Sequence, residues 1–194
     1  MEEEQQLIER WRRGSHEAAH ALVQRHYPRL LNLFYRLTGE RSEAEELTQE
    51  LFVRLTGYIV RGGRVESLTA WLNQTALNLW RDRARRAILA RTKGIAAAGG
   101  DEVLERLSGG EPVEATVLGH WERDAVRQAL LDLSPPHREA IVLYHYQQLT
   151  YAQIADLTGV PIGTVRSRIH YAVDQLRRRL AGEGGTEPWL NEGS

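Results

Sequence analysis

The chain contains no cysteine among its 194 residues. That excludes disulfides, thiolate zinc sites and thiol-based redox sensing within it. Long apolar runs are missing too: no stretch approaches the roughly 20 residues a membrane-spanning helix needs. Polar and apolar residues nowhere alternate for long enough to read as a sheet. No glycine-rich phosphate loop and no Ser-His-Asp grouping stands out, so common enzyme classes find no foothold; neither catalysis, a cofactor nor a resident metal is expected. The opening residues, MEEEQQLIERW, are acidic where a secretory signal would be basic and then apolar. Export is not expected, and a cytoplasmic location is.

Net charge is also nearly absent, at −1 from 25 basic and 26 acidic residues. Taken whole, that balance argues against a nucleic-acid partner. Its distribution argues the other way. Residues 61–93 carry eight Lys and Arg against two acids, and residues 127–180 carry seven against four. Residues 94–126 reverse the sign, with seven acids against two arginines. Two basic blocks separated by an acidic one suit two separate DNA contacts, with acidic segments left to repel DNA or to meet protein.

With 42% hydrophobic and 26% charged residues, the composition is that of a globular protein. Helical periodicity dominates it, and the expected fold is all-α: two small helical domains joined by a flexible linker, the second a helix-turn-helix. The first domain is placed at 1–92, the linker at 93–119, the second domain at 120–181 and a flexible tail at 182–194. Within residues 7–37 breaks are expected near Gly14-Ser15 and at Pro28, and a stop at Thr38-Gly39. Ser42 followed by Glu45 reads as a capping box opening a helix from Glu43 to Leu55. Ala44, Leu47, Thr48, Leu51, Phe52 and Leu55 form its core stripe, leaving Glu46, Gln49, Glu50 and Val53 on the opposite face.

The glycine-rich stretch 57–66 reads as a loop, after which Ser67 caps a long helix reaching Arg86 or Ala90. Leu68, Leu72, Ala76, Leu79 and the Arg83 stem share one side of that helix. Gln74, Asn78, Arg81 and Arg85 line the other at spacings of four, three and four. Amides and guanidinium groups in one row can donate to bases and neutralise phosphates, which makes this a candidate nucleic-acid face. The segment 91–119, rich in glycine, alanine and acids, reads as linker.

A helix from Trp121 to Leu133 then ends at Ser134-Pro135-Pro136, and His137 restarts one to Tyr146 with Ala140, Ile141 and Tyr144 inward. Thr150 and Gln153 form a second capping box, with Tyr151, Ile154, Ala155 and Thr158 on the buried side. Gly159 supplies a turn into a helix striped by Val165, Ile169, Ala172, Leu176 and Leu180. Ser167, His170 and Asp174 then point outward, flanked by Thr164, Arg166 and Tyr171, while Arg168 lies nearer the packed side. A basic helix start braced on a preceding helix is what a major groove accepts.

Three stretches in this order resemble the extracytoplasmic-function sigma factors of bacterial RNA polymerase, in the two regions called two and four. SEAEELTQELFVRL (42–55) looks like the family's acidic helix, WLNQTALNLWRDRARR (71–86) matches its Trp-Leu and Arg-Arg pattern, and residues 131–180 fit the second region nearly end to end. The resemblance implies a factor that binds core polymerase and directs promoter recognition, melting and initiation. It implies that Glu46, Gln49, Glu50 and Val53 dock on the clamp of the largest polymerase subunit. Arg61, Arg64, Gln74, Asn78, Arg81, Arg85 and Arg86 would then capture the −10 element, and Thr150, Tyr151, Thr164, Arg166, Ser167, Arg168, His170 and Tyr171 would read the −35 element. A cognate anti-sigma factor is a further implied partner. Leu68 stands where the family often has phenylalanine, and Glu46 where aspartate is common.

Two other readings compete. A stand-alone helix-turn-helix regulator explains residues 127–180 equally well, but not the Gln74 to Arg85 row or the acidic helix before it. His16-Glu17-Ala18-Ala19-His20 fits the HExxH pattern of zinc proteases, in which two histidines at i and i+4 bind metal beside a glutamate base. That chemistry needs a third ligand and a cleft, and the sequence offers no third ligand in spacing.

Overall fold

The computed structural model describes residues 2–92 and 117–181; the tail at 182–194 and most of the expected linker lie outside the described residues. The described residues form helices and no strand. Four helices come first: α1 (Glu2–Arg12), α2 (His16–Thr38), α3 (Arg41–Val60) and α4 (Leu68–Thr92). The second group holds α5 (Val117–Asp132), α6 (Pro135–Ile141), α7 (Tyr151–Thr158) and α8 (Ile162–Ala181), with a wide turn over Val142–Tyr146 between α6 and α7. In the first group α2 packs on α1, α3 and α4, and in the second α8 packs on α5, α6 and α7. α2 also touches α5 and the wide turn, so it packs against both groups.

Pro28 does not break α2, which runs unbroken across it. Its ring removes one backbone donor, but Pro28 lies on the exposed side of the helix, away from the core. Leu22, Leu30, Leu33, Phe34 and Leu37, all buried, hold the helix on the other side. α2 starts with Ser15 Oγ accepting from the Ala18 N–H (3.3 Å). It stops at Gly39, whose φ of 78° suits a residue without Cβ.

The expected capping box at Ser42 is absent. α3 begins at Arg41, Ser42 Oγ donates to the Glu40 carboxylate, and Glu45 accepts from Arg41 Nε (2.9 Å) instead of closing the box. The helix also continues past Gly57 to Val60, because Ile59 is a fully buried anchor one turn beyond Leu55. The loop is therefore shorter than expected, spanning 61–67. α5 likewise begins at Val117, inside the stretch read as linker.

The stripe of α3 is buried as expected, from Ala44 to Leu55. α4 is buried on more than its expected side: Asn73, Leu77 and Trp80 join Leu68, Leu72, Ala76 and Leu79. It packs against both α2 and α3, so a single stripe could not serve it. The Arg83 stem, in contrast, is not part of the core. Arg83 is exposed and donates to Glu43 and Glu46, each at 3.1 Å.

In the second group the helix expected over 137–146 starts two residues earlier and loosens after Ile141 into the wide turn, where Gln147 N donates to Val142 O (3.2 Å) across five residues. The capping box at Thr150 and Gln153 is formed in both directions. Of the expected buried side of α7 only Ile154 is fully buried; Tyr151, Ala155 and Thr158 are half-buried. α8 carries its stripe as expected, with Val165, Ile169, Ala172, Leu176 and Leu180 all buried.

Candidate nucleic-acid interface

The loop 61–67 and α4 form the first candidate surface. The loop is tethered by backbone contacts: Tyr58 Oη donates to Arg64 O (3.0 Å), Arg12 Nη2 to Gly63 O (2.8 Å) and Gln5 Nε2 to Val65 O (2.7 Å). Tyr58 also rests against Trp71, with ring centroids 5.4 Å apart. This bracing leaves Arg61 and Arg64 exposed on an ordered loop beside the start of α4. Ser67 caps α4 as expected, its Oγ accepting from the Ala70 N–H (3.3 Å).

Along α4, Gln74, Asn78, Arg85 and Arg86 are exposed, and Gln74 Nε2 donates to Asn78 Oδ1 (3.3 Å). Arg85 lies 3.8 Å from Asp82, a weak exposed pair that leaves the guanidinium accessible. Arg81 departs from the expectation of an open row. It is half-buried and engages Glu139 of α6 with two nitrogens, Nε to Oε2 at 2.9 Å and Nη2 to Oε1. Glu139 keeps only 4% of its surface exposed. Sequence spacing could not find this pair, because the partners lie 58 residues apart.

The acidic face of α3 is open where it was expected. Glu46 and Gln49 are exposed, Glu50 is half-buried, and Val53 is 71% exposed, with Val60 two turns on at 66%. Glu46 is held by Arg83, and Glu50 accepts from Arg54 Nη2 (2.6 Å). An apolar side chain as exposed as Val53, beside Glu46 and Glu50, suits a protein contact better than a DNA contact.

The second candidate surface is the start of α8 with its supports. Arg166, Ser167, His170 and Tyr171 are exposed, whereas Thr164 and Arg168 are half-buried. Ser167 Oγ donates back to Thr164 O (2.9 Å). Tyr171 stacks on His137 of α6, with centroids 5.2 Å apart, and His137 Nδ1 shares a hydrogen bond with Ser134 Oγ (2.9 Å). Burial and then the charge of Arg168 lower the His137 pKa, which favours a neutral ring for stacking. Tyr151 stacks on Tyr144 at 5.0 Å and has Arg166 over its ring at 6.0 Å. Burial first, then the hydrogen bond with Tyr144, raises the Tyr151 pKa. His137, Tyr144 and Ser134 are supports that the periodicity of α8 alone could not reveal.

His16, Glu17 and His20 lie exposed at the start of α2, and Glu17 meets Arg10 at 3.7 Å. Among the described residues no group of three His, Asp or Glu side chains is gathered as metal ligands would be. The motif serves as an ordinary capped helix start.

Comparison with known proteins resolves the remaining ambiguity. Residues 22–88 match the family model for Sigma-70 region 2, and residues 129–178 match that for Sigma-70, region 4. The ECF RNA polymerase sigma factor SigL of Mycobacterium tuberculosis is 33% identical over 86% of this chain and 90% of its own length. The chain belongs to the ECF sigma factors of bacterial RNA polymerase. SigE of Mycolicibacterium smegmatis is 36% identical over 82% of this chain, and the aligned part spans 60% of that longer protein. The fold is similar to that of the sigma factor RpoE solved with the anti-sigma factor NepR from Bartonella quintana, with a TM-score of 0.63, 24% identity, and coverage of 84% of this chain and 96% of that one. Sigma factors are initiation factors without catalysis of their own, which removes the zinc-protease reading. The region 2 match removes the stand-alone regulator, which left residues 22–88 unexplained.

Proposed function

We propose that the two basic surfaces of this sigma factor divide promoter recognition between them, and that the face of α3 docks it on the polymerase. The observation that carries the assignment is that each matched region presents exposed basic side chains on or beside a braced helix: Arg61, Arg64, Arg85 and Arg86 in region 2 and Arg166 in region 4. In region 2, Arg61, Arg64, Gln74, Asn78, Arg81, Arg85 and Arg86 hold the −10 element. Unstacking a base there costs a few kcal/mol, which guanidinium contacts to the backbone of the displaced strand offset. In region 4, Arg166, Ser167, His170 and Tyr171 read the −35 element in the major groove, with Thr150, Tyr151, Thr164 and Arg168 gripping its phosphates. Glu46, Gln49, Glu50 and Val53 meet the clamp of the largest subunit.

The functional units are 1–92 and 120–181, with 93–119 as the connection and 182–194 as a tail. The solved relative's anti-sigma partner supports a comparable inhibitor for this chain. No helix among the described residues is long and apolar enough to cross a membrane. A cytoplasmic site of action follows from the need to meet polymerase and DNA.

Transcription in vitro with purified core enzyme and a genomic promoter pool tests the assignment. Specific starts are expected. Arg166→Ala or Ser167→Ala changes the dependence on −35 sequence by about 1–3 kcal/mol per contacted base, whereas Asn78→Ala or Arg85→Ala impairs opening with little change in core binding. Equal loss of core binding in both sets would overturn the division of faces.

A further inference from the structure

Helix α1 lies outside the stretch matched by the region 2 model, which begins at residue 22. Ile8 and Trp11, both buried, fix it to the rest of the first group. The polar side chains beside them hold the loop 61–67. Arg12 Nη2 donates to Gly63 O (2.8 Å), and Gln5 Nε2 donates to Val65 O (2.7 Å) and Glu66 O (3.1 Å). With Tyr58 Oη on Arg64 O (3.0 Å), four consecutive carbonyls of the loop are each taken by a side chain, three of them from α1.

This tether has an electrostatic result. A free carbonyl oxygen is an acceptor and repels phosphate, so a loop whose carbonyls are engaged offers an anion its side chains instead. Those side chains are Arg61 and Arg64, against the loop's one acid, Glu66. The turn after α1 brings a third cation to the same place. Arg13 directly follows the residue that touches Gly63 and is exposed; among the described residues no carboxylate pairs with Arg13, Arg61 or Arg64. Arg10, one turn earlier, is held only weakly, by Glu17 at 3.7 Å. Neither segment is a helix or ribbon that would fill a duplex groove. Cations on two adjoining turns can instead follow the flexible backbone of an unpaired strand.

We propose that the end of α1 belongs to the strand-binding surface of region 2: Arg12 and Gln5 are positioning residues that fix the loop 61–67, and Arg13 grips the backbone of the unpaired strand beside Arg61 and Arg64. The ligand is single-stranded DNA, met at Arg13 through phosphate and without base preference. The inference rests on the reading of the loop as a −10 contact.

Holoenzyme assembled from the full chain tests both parts on a promoter recovered from the transcription assay. One probe is a fork whose −10 non-template strand is unpaired; the other is a duplex that carries the −35 element and ends before −10. Arg13→Ala should weaken fork binding about two- to fivefold, the worth of one exposed charge contact, and lower the slope of log affinity against log salt by about 0.7. Binding of the −35 duplex should not change. Arg41→Ala removes an equal charge about 30 Å away, at the far end of α3, and should alter neither probe. Arg12→Met keeps an apolar stem but removes the donors. Core binding should hold, while a 2-aminopurine in the −10 overhang, which brightens on unstacking, should brighten less than with the parent chain; Arg12→Lys, still able to donate to a carbonyl, should restore most of the signal. Unchanged fork affinity and slope in Arg13→Ala, or an equal loss on the −35 duplex, would overturn the strand contact. An equal loss of core binding in Arg12→Met would make Arg12 a residue of the fold alone and overturn its positioning role. If Arg61→Ala and Arg64→Ala also leave fork binding unchanged, the reading of the loop fails and the inference falls with it.

Discussion

The two helix groups bury their residues in different ways. In α5–α8 the long helix α8 meets α5, α6 and α7 along one fully buried stripe and leaves the opposite face to solvent. In α1–α4 the central helices are surrounded, and polar groups are buried along with apolar ones: His26, Thr48 and Asn73. Thr48 Oγ1 donates to Ala44 O (2.7 Å), Asn73 Oδ1 accepts from Arg29 Nη1 (2.9 Å), and His26 Nε2 meets Glu4 Oε1 (2.9 Å). A helix packed from one side announces its functional face. A helix packed from several sides hides it.

Leu77→Ala probes that difference most strongly. Leu77 is fully buried although it lies off the stripe that periodicity assigns to α4. Chemical denaturation should show a loss of about 2–5 kcal/mol, typical of a leucine removed from a packed core. A cost under about 0.5 kcal/mol, as at an ordinary surface site, would mean α4 is packed from one side after all, like α8.

The caps offer a second contrast of intermediate size. Thr150→Ala should lose about 1 kcal/mol, since its side chain closes a complete box at the start of α7. Ser42→Ala should cost only a few tenths of a kcal/mol, within the range of surface changes, because no cap hydrogen bond exists at α3. Similar costs at both positions would erase the distinction.

The buried polar interior of the first group gives the smallest effect, readable through pH. Burial is the chief cause that lowers the His26 pKa below 6.5, outweighing the hydrogen bond and charge of Glu4, which raise it; Arg29 and Arg25 lower it further. The folded state therefore keeps His26 neutral while the unfolded chain takes up a proton near pH 6.5. Stability is present above that pH and is lost as pH falls from about 7 towards the folded pKa, at about 1.4 kcal/mol for each unit between the two values. Melting temperatures measured across this window should slope in the parent chain and less so in His26→Gln. An unchanged slope would remove His26 as its source.

Legibility followed the same division. The stripe of α8, the Gly159 turn and the Thr150 box rest on contacts within a few residues, and all are present. The stripe of α3 and the Ser67 cap could be read for the same reason. Pro28, Ser42 and Arg83 could not, because what decides each is tertiary: the core behind α2, the claim of Arg41 on Glu45, and two glutamates of α3 some 40 residues before Arg83. At the candidate surfaces, Ser167, His170 and Asp174 were readable as outward residues. The capture of Arg81 by Glu139 was not, since one sequence carries no record of which distant carboxylate a guanidinium will meet.

Gly39 has a wider consequence than ending a helix. A Cβ placed there would lie 2.4 Å from Leu131 Cδ1, on the facing group, and the backbone φ of 78° already disfavours an L side chain. Two constraints, one from its own backbone and one from a side chain of the facing helix group, therefore converge on one atom position. Any substitution at position 39 would be tested twice, once by the left-handed turn between α2 and α3 and once by the fit of Leu131 against it.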